Sequence, residues 1–163
     1  MANLDQPRGF WPHGPCKRIS PYIAASAIYP GDAVKLNNAG QVAIAAAGDA
    51  LVGVAMSYVS ASGAEVLVAD SPDQLFCGQC DEADVDALTD MNLNYNILAT
   101  AGSSTYKISR QEVDSSTQAT DSNLPLKVLR LNARPDNALG ANAVVVFLIN
   151  NHQLKGSTGT LGV

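Results

Sequence analysis

From Gly31 to Cys80 the chain alternates short apolar runs with turn-forming clusters. Ala33–Leu36, Val42–Ile44, Leu51–Val59, Glu65–Ala69 and Gln74–Cys77 are separated by Pro-Gly-Asp, Asn-Ala-Gly, Gly-Asp, Ser-Gly and Asp-Ser-Pro-Asp. Those separators hold residues that tolerate a positive φ or, in proline, a fixed one, so each marks a reversal of the chain. Brief β-type runs closed by frequent turns predict an all-β domain, a small antiparallel barrel or sandwich.

The rest of the pattern extends that frame. Tyr22–Tyr29, Asn92–Thr100 and the short Tyr106–Ile108 have strand character. In Leu124–Leu131, Leu124, Leu126, Val128 and Arg130 fall on one face and Lys127 on the other, whereas Ala143–Ile149 is apolar on both faces, as a central strand would be. Asp81–Asp90 is acidic and predicts one short helix over Asp84–Met91, its acidic start suiting the helix dipole. Ser109–Asn123 is polar and Ser/Thr-rich, which predicts a long surface loop. The Pro-rich opening has no periodicity and carries Phe10 and Trp11 side by side. The expected organisation is an extended arm over 1–21, one β-rich domain over 22–154 with at most one or two short helices, and a flexible Gly/Ser/Thr-rich tail over 155–163.

Composition narrows the function classes. Apolar residues make up 47% of the 163, but charged residues only 15%, below the roughly 25% of an ordinary soluble domain. So sparse a charged surface suggests that partners cover part of it. The net charge of −5 argues against nucleic acid and anionic membranes as partners. No apolar run is long enough to span a membrane, and the first residues lack a secretory leader, so synthesis in the cytoplasm is expected.

Three constellations bear on chemistry. Cys77-Gly-Gln-Cys80 has redox spacing, but it closes a β-rich stretch and precedes acidic residues, which would raise a thiol pKa. Together with His13 and Cys16 it matches the ligand types of a Cys₃His zinc set, His13, Cys16, Cys77 and Cys80. Plain reduced thiols are the simpler expectation, with no cofactor. The carboxylates Asp81, Glu82, Asp84, Asp86 and Asp90 lack a calcium-loop pattern and are expected to be a solvated loop. His13 and His152 sit far apart in the chain, so a Ser-His-Asp arrangement has little support.

Larger segments carry a resemblance. MANLDQPRGFWP at the start, Ile28-Tyr-Pro-Gly-Asp-Ala-Val-Lys-Leu, Ala47-Gly-Asp-Ala-Leu-Val-Gly-Val, Val68-Ala-Asp-Ser-Pro-Asp-Gln-Leu-Phe and, most distinctively, Arg134-Pro-Asp-Asn-Ala-Leu-Gly make the chain resemble tailed-bacteriophage capsid decoration (cement) proteins. Leu148-Ile-Asn-Asn-His-Gln-Leu near the end agrees. The resemblance implies a β-rich, β-tulip-like homotrimer on the outer surface of the virion head, clamping neighbouring major capsid protein subunits after the shell expands. It implies no catalytic set. Phe10 and Trp11, on a segment with no local core, need a groove to bury them. The arm either folds back on its own barrel or laces onto a neighbouring subunit with these two as anchors. The second is expected here, with Arg134, Asp136 and Asn137 fixing a turn or a subunit contact. The cysteines stand outside the family's pattern. Two other readings remain at this point: a head fibre or receptor-binding virion appendage, and a small thiol or zinc protein.

Overall fold

A computed structural model describes residues 3–82, 85–156 and 158–163. Among these residues eleven strands form two antiparallel sheets. In the six-stranded sheet, β1 (Trp11–Pro12), β7 (Leu75–Gln79), β11 (Val144–Ile149), β10 (Leu126–Leu131), β8 (Asn94–Leu98) and β9 (Glu112–Ala119) lie side by side in that order. The five-stranded sheet runs β2 (Ile19–Ile23), β6 (Glu65–Ala69), β5 (Gly53–Ala55), β3 (Ala33–Leu36), β4 (Val42–Ile44). Each sheet curls until its flanks meet at one bridge, Cys80 to Val113 in the first and Ala24 to Val42 in the second. A single bridge is not a ladder, so neither sheet closes into a barrel, and the open two-sheet form is the one adopted.

Strand alternation sorts the residues into layers. The inner face of the six-stranded sheet supplies Phe76, Tyr95, Ile97, Leu126, Val128, Val145, Phe147 and Ile149 to the main core. Ala33, Val54 and Ala69 meet them from the five-stranded sheet. The other face of the smaller sheet closes around its own core of Ile28, Val34, Val42, Val52, Ala55, Val66 and Val68. Polar side chains staple the ends: buried Gln111 accepts from the Ala33 amide (2.7 Å), and Asn150 accepts from the Thr160 amide (2.8 Å).

Residues 3–21 do not form a free arm. Asn3 Nδ2 donates to the carbonyls of Ala138 and Ala141, the Gln6 amide to Gln79, and the Phe10 amide to Gly31. Phe10 is only 2% exposed and meets Phe147 edge-on, with centroids 5.1 Å apart. Its ring fits because position 78 is glycine, where a Cβ would lie 2.5 Å from the Phe10 ring. The expected boundary between residues 21 and 22 falls inside β2.

Other expectations are also corrected. The expected loop over 109–123 contains the longest strand, β9, because its polar residues find partners. The Ser115 hydroxyl donates to Asp81 (2.9 Å), and Thr117 Oγ1 accepts from the Asn96 amide (2.9 Å). The expected Tyr22–Tyr29 strand starts earlier, at Ile19, and stops at Ile23. Tyr106–Ile108 makes only one bridge, Ser103 to Ile108. Of the expected helix only a 3₁₀ turn, Leu88–Asp90, is seen, and Asp84 lies outside the described residues. Arg130 leaves the face it was expected to share with Val128, because a register shift between them turns it outward. The described part of the tail is held: the Gly162 amide donates to Thr120 O, the Val163 amide to Asn92 O, and Lys127 Nζ to Leu161 O.

Candidate interaction surface

The face of the five-stranded sheet that packs on the main core at Ala33, Val54 and Ala69 continues past the edge of the larger sheet. Register makes this explicit. Across β2 and β6, Ile19 stands opposite Ala69 and Pro21 opposite Leu67. Across β6 and β5, Val54 is opposite Ala69, and just beyond that ladder the Met56 amide donates to Leu67 O (2.8 Å). Pro21, Leu67 and Met56 therefore form one row on the same side as Ala69, and none of the described residues covers it fully. Ile19, Ile23 and Leu67 are 46%, 44% and 41% exposed. They belong to β2, a sheet edge, and its neighbour β6. Pro21 removes one donor from that edge, which limits pairing by another strand but leaves the apolar face open.

The row leads into a groove. Arg8, Phe10, Trp11, Pro12, Pro30, Gly31, Ala55, Met56 and Ile108 enclose about 350 Å³, mostly of apolar wall. Ile108 also lines a neighbouring hollow with Pro7, Tyr106 and Arg110. Tyr106 is 77% exposed. Tyr58 stacks on Tyr29, centroids 5.4 Å apart, and carries Lys107 Nζ 5.1 Å above its ring. Arg8 lies 4.3 Å over the Trp11 ring. Between Arg8 and Phe10 the backbone passes against Gly31 and Ser109 at Gly9, whose φ of +73° suits glycine and where a Cβ would lie 2.5 Å from Gly31 O.

The expected binding residues divide. Phe10 faces inward, so its bulk is spent inside its own domain rather than on a neighbour. Trp11 is half-buried on the outer side of β1, against Cys77, Val144 and Val146. Trp11, Arg134 and Asp136 do come together, around a second hollow of about 170 Å³ that also touches Leu4, Gln6 and Arg8. Arg134 and Asp136 pair with each other through two bonds of 3.1 and 3.0 Å, which holds the Asp136 carboxyl below its usual range. Asn137 belongs to the turn itself: it donates to the carbonyls of Asn132 and Val144 and accepts from the Val144 amide.

The zinc set is not assembled. Cys77 and Cys80 are three apart on an extended segment, so their side chains point to opposite faces. Cys80 is in the main core and Cys77 in the small outer cluster. Only His13 and Cys77 meet, Nδ1 to Sγ at 3.3 Å. An Arg130 guanidinium stands 3.1 Å from His13 Nε2, and Asn132 donates to the same sulfur (3.3 Å). The guanidinium can only donate, so Nε2 accepts, Nδ1 carries the proton, and the sulfur receives two donors. Burial pushes the Cys77 thiol up to about 11, against the pull of Arg130, Arg134 and Arg8, so it is no poised nucleophile. Burial, then Asp81 and Glu112, pushes Cys80 up as well. Among the described residues no three His, Cys, Asp or Glu side chains are placed to hold a metal. In the acidic stretch, Asp90 accepts from the Asp86 and Ala87 amides, and Asp81 from Ser115.

Two buried polar groups escaped the sequence reading. Asp70 was expected only to shape a turn, yet it binds Arg18 (2.7 Å) and Tyr22 (2.8 Å). Burial works against its charge, but hydrogen bonds from Arg18, Tyr22 and Ser20 outweigh it and hold the carboxyl below its usual range. His152 is 1% exposed, its Nδ1 accepting from the Leu154 amide (3.1 Å). Burial, aided by Lys155, pushes its pKa down to about 4. The open face itself had one sequence signal: Ile19, Pro21 and Ile23 alternate with Ser20 and Tyr22.

Among the described residues no helix is long and apolar enough to cross a membrane. Neither a family model nor a curated protein matches the chain.

Proposed function

We propose that this chain is a non-enzymatic decoration (cement) protein, a homotrimer on the outer surface of a tailed-phage head that bridges major capsid protein subunits of the expanded shell. The observation that carries this reading is the apolar face that runs from Ile19 through Leu67 and Met56 to Ile108 and Tyr106 and is left open by the chain's own fold. The resemblance of segments such as Arg134-Pro-Asp-Asn-Ala-Leu-Gly to tailed-phage decoration proteins points the same way.

The mechanism is adhesion by burial. Apolar area removed from water contributes about 25 cal/mol per Å², and a stable contact of ordinary size buries about 1,600 Å². A trimer that engages several shell subunits gains further through effective concentration. Subunits held together across their boundaries then separate only when several contacts fail at once.

The test is to add purified protein to expanded heads that lack it and follow heat-induced release of DNA. Saturable binding at many copies per head and a raised release temperature are expected. Heads that neither bind the protein nor gain heat resistance would refute the proposal. Truncation of residues 1–21 does not serve here, because it removes Phe10 from the core.

A further inference from the structure

The rim of the groove has one sign of charge, opposite to that of the chain as a whole. The net charge is −5, yet the charged side chains at the groove and the adjoining hollow are Arg8 and Arg110, with Lys107 beside Tyr58. All three are exposed. Among the described residues none of them forms an ion pair with a carboxylate. Their surroundings are aromatic and apolar: Arg8 covers Trp11, Lys107 covers Tyr58, and Arg110 shares a wall with Tyr106 and Ile108. Cations held over rings beside an apolar trough complement a segment that carries both apolar anchors and carboxylates.

We infer that the groove receives an extended acidic segment of the shell protein, with one apolar side chain seated between Trp11, Met56 and Ile108 and flanking carboxylates at Arg8 and Arg110. This rests on the adhesion reading above and names the partner's chemistry at that face. The trough of about 350 Å³ holds one or two large side chains, and the apolar row of Leu67, Pro21 and Ile19 extends it. Attraction between opposite charges speeds docking and sets its orientation, while the buried anchor holds the segment in place.

The chain's single tryptophan lies in the groove and reports on it directly. Three synthetic peptides serve as probes: an acidic one with a central Leu-Phe pair, the same peptide with every carboxylate residue replaced by lysine, and the acidic one with Leu-Phe replaced by serines. The full-length protein should show a saturable change in Trp11 emission with the first peptide only. Its affinity should fall about tenfold in Arg8→Glu/Arg110→Glu and should weaken as salt is raised. Equal binding of the lysine peptide, no response to the first peptide, or an unchanged affinity in the charge-reversed variant would overturn the inference. A parallel assay on expanded heads keeps the two ideas apart. Heads that retain the charge-reversed variant as well as wild type overturn the acidic segment and leave adhesion standing. Heads that bind neither protein remove the adhesion reading, and the acidic shell segment with it.

Discussion

Two apolar surfaces in this molecule are built from similar residues and have opposite fates. The inner one, around Phe10, Phe76 and Phe147, is sealed by the chain itself: Phe10 comes from a Pro-rich segment and still ends 2% exposed. The outer one, around Leu67, Met56 and Ile108, lies on the continuation of a core-facing sheet face and is left open because the smaller sheet overhangs the larger. Hydrophobicity alone does not separate them. What separates them is whether a second layer reaches that far along the sheet. The first surface carries stability; the proposed function gives partner binding to the second.

The largest test of that division is Phe10→Ala. Loss of a buried aromatic should cost about 3–5 kcal/mol in denaturant unfolding, whereas Trp11→Ala, on a half-buried site one residue on, should cost about 1–2 kcal/mol. Equal costs would erase the boundary between inside and outside at β1. The covered side should also carry a pH signature. His152 is neutral in both states above its ordinary value of 6.5. As pH falls from there to about 4, the unfolded chain takes up the proton before the folded one does. Stability should drop by up to about 3 kcal/mol over that window, and subtracting the His152→Gln curve from wild type isolates this share. A flat difference curve would mean that the imidazole is not sealed in.

Next in size is Gly78→Ala, where the added methyl must push Phe10 off its seat. A cost of about 1–3 kcal/mol in thermal unfolding is expected, because the added methyl meets the Phe10 ring at about 2.5 Å. The smallest effect is chemical. In the folded protein at neutral pH an alkylating reagent should label Cys16, which is partly exposed, and spare Cys77 and Cys80. Mass spectrometry showing label on either buried thiol would mean that the sheets open more readily than their packing implies.

Much of this fold was legible from the chain. The turn clusters between Gly31 and Cys80 located β3, β4 and β6 to the residue, because each run is short and closed by residues suited to reversal. β9 was not legible. Glu112, Ser115 and Thr117 look like loop residues until Gln79, Asp81 and Asn96 are beside them to accept or donate. The same holds for the tail, whose hold depends on Asn150, Asn92 and Lys127, distant in sequence. Cys77 and Cys80 invited a metal reading because spacing was judged without strand parity, which sends them to opposite faces. For the candidate site, the alternation at Ile19, Pro21 and Ile23 was visible, but the overhang follows only from the register of β2, β6 and β5 and from where the larger sheet stops.

The central claim, that the open face holds the partner, is tested most directly by Leu67→Asp/Ile108→Asp. Leu67 and Ile108 are 41% and 38% exposed, so the variant should lose about 1–2 kcal/mol per site and stay folded. On expanded heads, counted by copies retained after washing, the folded variant should be lost while wild type stays bound. A folded variant retained at the wild-type copy number would contradict the account.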